Sequence, residues 1–327
     1  MEVSRFCSTA RLFIVAGKGG VGKTTVTAAL ARTAAMAGLT SLIVEVEGKS
    51  GIGSVFGRRE PLSYEDVLLH GGGGPRGEGA VRGRTLTPDD ALLEYLEDHG
   101  MRRVSKRLAS SGALDVVSTA VPGIKDILVL GKVKSLERNG GGSRGAAPDV
   151  IVLDAPAAGH AITFLTSAQG LLDAARVGPI RAQAQDVVEL LSDPDRCQVI
   201  LVTLPEETPV NEVVETAFAL EDRVGIKLGP VVVNGVYPVI EGLDADPMAV
   251  AEERGVRISG DQAQALREAA AFRLSRQALQ EEQLGRLASG LPLPQFRLPY
   301  LFTPEIGPHE LDVLANALTG EIEALPA

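Results

Sequence analysis

A doubly wound α/β fold on a mostly parallel sheet is the architecture this sequence predicts. Three observations predict it. The apolar run Leu12-Phe13-Ile14-Val15 passes through a glycine-rich stretch, residues 16–22, into the helical pattern Val26-Thr27-Ala28-Ala29-Leu30-Ala31. A second apolar run, Val150-Ile151-Val152-Leu153, ends in Asp154. Further short apolar runs alternate with helical stretches along the chain, which is the pattern of βαβ units.

The first of these carries chemistry. Gly17-Lys18-Gly19-Gly20-Val21-Gly22-Lys23-Thr24 fits Gly-x-x-x-x-Gly-Lys-Thr, the phosphate-binding P-loop. It has the context the motif needs, a strand before it and a helix after it. Loop N–H groups and the helix N-terminus present partial positive charge to phosphate oxygens. Gly17, Gly19, Gly20 and Gly22 let the backbone approach closely. Lys23 is expected to reach the β- and γ-phosphates of a nucleotide and the Thr24 hydroxyl to ligate Mg²⁺. With Val21 and Thr25, the span 17–25 is the predicted phosphate site, and Lys23 is also expected to act in catalysis.

Taken in order, Gly38 closes the first helix and residues 40–46 read as the second strand. Residues 58–80, with four successive glycines at 71–74, read as a flexible surface loop. Val81 to Leu86 fit a short strand. Thr87-Pro88-Asp89-Asp90 opens a helix with a threonine cap, an early proline and acids at the positive end of the dipole. Residues 114–117 fit another strand, a helix opens at 121–128, and 139–143 read as a second flexible connection. Asp154, a carboxylate at the C-terminal edge of a buried strand, is placed to hold Mg²⁺ directly or through water. Residues 198–203 and 231–234 are further strands, with a helix from Val210 to about Arg223 between them. Residues 248–288 read as helix, 295–301 as the last strand and a proline-rich turn, and the tail from His309 as a short acidic helix.

Composition excludes several classes. At 327 residues with 45% hydrophobic content, the chain is long enough for a sizeable core, built mostly of Leu, Val, Ile and Ala because aromatics are 4%. A net charge of −10 argues against a nucleic-acid surface. No apolar run approaches the ~18–20 residues of a membrane span, and Met1 to Arg11 is too short and polar for a signal peptide. Cys7 and Cys197 lie far apart without a CxxC, and four histidines show no metal-ligand spacing. A cytoplasmic protein is expected.

The P-loop string, with Lys18 ahead of the glycine pair, resembles the deviant P-loop shared by ParA and MinD partitioning ATPases, the nitrogenase iron protein and the ArsA/guided-entry ATPases. The resemblance to the last of these covers nearly the whole chain, in a form that looks like an actinobacterial branch with mycobacterial ArsA-like members. It implies that Lys18 crosses a dimer interface to the partner's nucleotide, as a catalytic cation in trans. The family's water-orienting aspartate falls on Glu47, which is thereby assigned to catalysis and, with Thr24 and Asp154, to the metal site; the longer side chain puts the hydrolysis rate in question. The stretch from Ala155 to Leu165 matches the second switch in length. There Gly159 would give its N–H to the γ-phosphate, and His160 is structural or a reporter of the switch. Asn234 matches the adenine-reading asparagine, Pro205 and Glu206 a Pro-Glu near the partner's adenine, and Pro299, Tyr300 and Leu301 an adenine-side loop.

The resemblance implies one P-loop ATPase domain over 1–327. Its inserted, mainly helical subdomain at 58–148 would be joined by helices from 164–192 and 245–288. One P-loop per chain implies a pair: a homodimer, or a heterodimer with a paralogous ArsA-like subunit. The expected function is a Mg-dependent ATPase acting as a nucleotide-driven dimeric switch on an unknown protein client. A nucleotide-binding scaffold with little hydrolysis and a ParA/MinD-like positioning ATPase are the alternatives. The arsenite-binding cysteines, the zinc CxxC and the Met-rich client groove of the resembling families have no counterpart in this sequence.

Overall fold

The computed structural model of the chain describes residues 1–46, 51–73, 77–98, 100–103, 105, 123–139, 147–174 and 178–326. Its centre is an eight-stranded sheet of β1 (Leu12–Gly17), β2 (Ser41–Val46), β3 (Val67–His70), β4 (Val81–Leu86), β5 (Val150–Ala157), β6 (Cys197–Thr203), β7 (Lys227–Val236) and β8 (Gln295–Pro299). The spatial order is β3-β4-β2-β5-β1-β6-β7-β8, and every pair is parallel except β3 with β4 at one edge. Strands β1 and β6 are buried along their whole length, as continuous apolar runs covered on both faces should be.

Two helical layers cover the sheet. On one face lie α1 (Val3–Cys7), α2 (Lys23–Met36), α3 (Gly51–Val55) and, numbered last, α11 (Pro308–Glu323). On the other, α5 (Ile124–Asn139), α6 (Ala158–Ala174), α7 (Pro179–Ser192), α8 (Glu207–Val224) and the C-terminal end of α10 (Gly260–Gly290) pack on Leu12, Ile14, Val44, Leu153 and Leu201. The remaining helices are α4 (Pro88–Asp98) and α9 (Pro247–Glu253). Helix α2 is buried almost all round from Val26 to Ala35. Its alanines let it lie close between the sheet and α11, whose Leu311, Leu314, Leu318 and Ile322 complete that layer.

The order of strands fixes where a ligand can sit. Neighbours β1 and β5 send their chains to opposite faces, β1 into α2 and β5 into α6. Such a divergence opens a crevice beyond the strands' C-terminal ends. Both the glycine loop and Asp154 lie at that edge.

Most predicted elements among the described residues are present, with two differences. Residues 58–80, read from their glycines as a loop, include β3, an antiparallel edge strand. Its partner β4 carries Gly83, where a Cβ would come within 2.6 Å of the Leu69 side chain. The span 58–148 therefore supplies two strands of the main sheet as well as α4 and α5. The expected strand at 114–117 and the helix start at 121–122 lie outside the described residues. Thr87 caps α4, its hydroxyl accepting from the Asp90 N–H at 3.1 Å. The helical stretch 164–192 is two helices, α6 and α7, and 248–288 is α9 followed by α10.

Candidate nucleotide site

The glycine loop is held open by backbone conformations that only glycine adopts easily. Gly20 has φ +88° and Gly22, the residue capping α2, has φ +90°. Two close approaches fix its walls. A Cβ at Gly17 would lie 2.3 Å from the Val202 carbonyl oxygen on β6, and one at Gly22 would lie 2.3 Å from Asn234 Nδ2. Lys23 is buried, and its Nζ donates to the Lys18 carbonyl at 2.9 Å. The ammonium thus lies back against the loop. Thr25 follows in the first turn of α2, half-buried.

Asp154 is fully buried on β5 beside Val15 of β1. Its Oδ2 accepts from the Thr24 hydroxyl at 2.8 Å, across 130 residues of sequence. The structure thereby brings together the two oxygens assigned to the metal from separate motifs. A hydroxyl and a carboxylate oxygen at the mouth of a phosphate loop are hard donors suited to Mg²⁺, which takes one or two protein oxygens plus phosphates and waters. The fit is therefore good. Glu47 lies outside the described residues, but the chain returns at Gly51, where a Cβ would meet Thr24 Cγ2 at 2.9 Å.

Around this centre the remaining predicted residues divide. Asn234, at the end of β7, donates from Nδ2 to the Val21 carbonyl at 3.0 Å and so touches the loop itself. Tyr300 hydrogen-bonds through its N–H to Val236 O at 2.8 Å, and its ring is an ordinary contact, 3.6 Å, from a Cβ built at Gly235. Pro299 and Leu301 flank it, half-buried. Pro205 is buried at the end of β6, whereas exposed Glu206 precedes α8 and faces Arg276 at 3.8 Å. Gly159 falls in the first turn of α6, directly after β5, with His160 exposed beside it. Burial raises the Asp126 carboxyl above its ordinary range, and nearby His160 pulls it back. The Lys18 side chain is engaged with α8: its Nζ donates to Glu212 Oε1 at 2.6 Å.

The CobQ/CobB/MinD/ParA nucleotide binding domain matches residues 12–191, more than half the chain. The chain belongs to this family. ATPase BagA of Mycobacterium tuberculosis is 36% identical over 232 residues, covering 71% of this chain and 66% of that protein. An arsenical pump-driving ATPase of Escherichia coli is 28% identical over 250 residues, 69% of this chain and 39% of its own length. Another from Acidiphilium multivorum is 28% identical over 263 residues, with 72% and 41% covered. The matches thus span about two thirds of the mycobacterial relative and well under half of the arsenical pump-driving ATPases. The resemblance to ArsA-like ATPases with mycobacterial members, read from the motifs, agrees with these findings.

As a member of the CobQ/CobB/MinD/ParA nucleotide-binding family, the chain carries two acidic residues around the loop that sequence reading missed. Glu45 on β2 is 1% exposed. It is the register partner of Asp154 on one side and of Thr85 on the other, and Thr85 Oγ1 donates to its Oε1 at 2.6 Å. Glu212, the partner of Lys18, was missed as well, because it lies 194 residues away in the chain. Cys7 and Cys197 are both buried and unbridged. Among the described residues no cluster of three or more His, Cys, Asp or Glu could hold a metal. No described helix is long and apolar enough to cross a membrane.

Proposed function

We propose that the chain is a Mg-dependent ATPase that works as a nucleotide-driven switch between two subunits. The observation that carries the reading is the 2.8 Å bond from Thr24 Oγ1 to Asp154 Oδ2 beside the glycine cradle. Loop N–H groups between Gly17 and Thr25, with Gly159 at the start of α6, would bind the phosphates. Lys23 would exchange the Lys18 carbonyl for phosphate oxygens. Thr24 and Asp154, with Glu47, would hold Mg²⁺, which when bound neutralises charge on the phosphates. Glu47 would orient the attacking water. Asn234 would read the adenine edge, with Pro299, Tyr300 and Leu301 beside the base and Pro205 and Glu206 near the partner's base.

Lys18 would reach the nucleotide of the partner subunit, a copy of this chain or a paralogue. Its pair with Glu212 joins two half-exposed groups and contributes only about 0–1 kcal/mol. That is small enough for phosphate to displace it. The helices inserted within 58–148 would pass the closing motion to a protein client.

Steady-state hydrolysis by the purified protein tests this, with Lys23→Ala as the blank and the mass measured with ATP and Mg²⁺. Turnover that the substitution abolishes, together with an ATP-dependent dimer, is expected. Tight binding without turnover would overturn the hydrolytic reading in favour of a scaffold, which the glutamate at 47 favours. Glu47→Asp would then raise the rate. A membrane-positioning role is disfavoured, because the apolar face of α11 is packed on α2.

A further inference from the structure

We propose that Glu45 is a positioning residue of the cation site, a second carboxylate that acts through Asp154. The inference rests on reading Thr24 and Asp154 as the protein ligands of nucleotide-bound Mg²⁺. Four side chains form a row across three strands and a helix. Thr85 on β4 donates to Glu45 on β2; Glu45 stands in register beside Asp154 on β5; Asp154 accepts from Thr24 at the start of α2. Register partners in a parallel sheet point to the same face, and adjacent strands are only about 4.8 Å apart. Glu45 and Asp154 therefore project side by side toward the α2 layer. Ile43 and Val152, two residues earlier on the same strands and the same face, belong to its apolar core.

Burying a carboxylate costs stability unless it is hydrogen-bonded and compensated, and placing it next to a second buried carboxylate adds repulsion. Thr85 supplies one hydrogen bond. A divalent cation on the Thr24–Asp154 oxygens would be attracted by both carboxylates at once, and in a water-poor crevice that attraction is strong. Glu45 would thus raise cation affinity without contacting the nucleotide and would hold the Asp154 carboxylate turned toward Thr24. Second-sphere partners of metal ligands typically contribute 10–100-fold in affinity.

Manganese binding in the presence of a non-hydrolysable ATP analogue, with free Mn²⁺ followed by electron paramagnetic resonance, tests the proposal. Glu45→Gln keeps the shape and can still accept from Thr85, so the fold is retained. It is expected to weaken Mn²⁺ binding by about tenfold. Affinity for the analogue measured in EDTA should not fall, and Glu45→Asp should recover part of the loss. Thr85→Val, which removes that hydrogen bond, should weaken Mn²⁺ in the same direction by a smaller factor. Unchanged Mn²⁺ affinity in Glu45→Gln, whether or not its melting temperature drops, would overturn the proposal and leave Glu45 a structural residue. Asp154→Asn separates this from failure of the underlying reading. If that variant keeps full Mn²⁺ affinity, the metal site itself is misplaced.

Discussion

Gly22 shows how much of the site depends on one residue. Its φ of +90° lies in the left-handed region, and a side chain there would collide with the amide that Asn234 extends to the Val21 carbonyl. Gly22→Ala is expected to cost about 1–3 kcal/mol from backbone strain and to abolish ATP binding, as read by urea denaturation and calorimetry. Adding Asn234→Ala should return part of the stability, since the clash is gone, while binding stays lost. That non-additivity identifies the contact.

The two thiols make a second residue-scale prediction. Burial pushes Cys7 up from an ordinary 9.0 to about 12, and pushes Cys197 up as well. Both groups hold their protons longer in the folded chain than in the unfolded one. Their contribution is fully present below pH 9 and is lost as pH rises toward the folded values. Wild type should lose about 2 kcal/mol more than Cys7→Ala/Cys197→Ala between pH 9 and 10, measured by urea denaturation at each pH. Neither thiol should react with iodoacetamide at pH 8 until the chain unfolds.

At the scale of elements, local signals were readable and non-local ones were not. The strand–loop–helix around Lys23 and the run ending in Asp154 are contiguous, so each was visible from its own residues. The cap at Thr87 was visible for the same reason. Strand β3 was hidden, because only four residues are involved and its pattern is neither alternating nor fully buried. What makes it a strand is the edge offered by β4. Glu45 was hidden too: a glutamate within an apolar run looks like a solvent-facing position, and only register with β5 shows it beside Asp154. The same holds for Glu212 against Lys18.

Helix α10 supports a prediction of its own. Ser259 and Gln262 form a reciprocal capping box at its start. Yet toward that end few of its residues are buried, whereas Gln280, Gln283, Leu284 and Leu287 anchor its C-terminal part. Ser259→Ala should cost about 0.5–2 kcal/mol of local stability. Hydrogen exchange should quicken over the first turns, and the global urea midpoint should hardly move.

Across the whole molecule, the α2–α11 layer is tied to the β3–β4 edge of the sheet by charge as well as by apolar packing. Arg32 on α2 donates to Asp312 on α11 and to Glu78 in the β3–β4 connection, each at 2.7 Å, and lies 3.1 Å from His70 Nε2. The arginine side chain is 9% exposed, but Asp312 is 50% exposed. Removing the buried member should therefore cost more than removing the exposed one. Arg32→Ala is expected to destabilise by about 2–3 kcal/mol and Asp312→Ala by at most about 1 kcal/mol in urea denaturation. Equal losses would mean that buried Arg32 is not the member that holds α11 and the β3–β4 connection together.

The anchored end of α10 is fastened close to Asn234. Gln280 accepts from the Tyr237 N–H at 2.8 Å and donates to the Gly235 carbonyl at 3.1 Å. Those bonds make the long helix a pointer with its pivot at the rim of the nucleotide crevice. The last of these anchors toward the tip is Arg273, which donates to the Pro238 carbonyl at 2.8 Å; the roughly thirteen residues of helix beyond it extend about 20 Å, so a tilt of about 10° carries the far tip through about 3.5 Å. A displacement too small to alter the sheet would thus be geared up into one that a neighbouring molecule can sense.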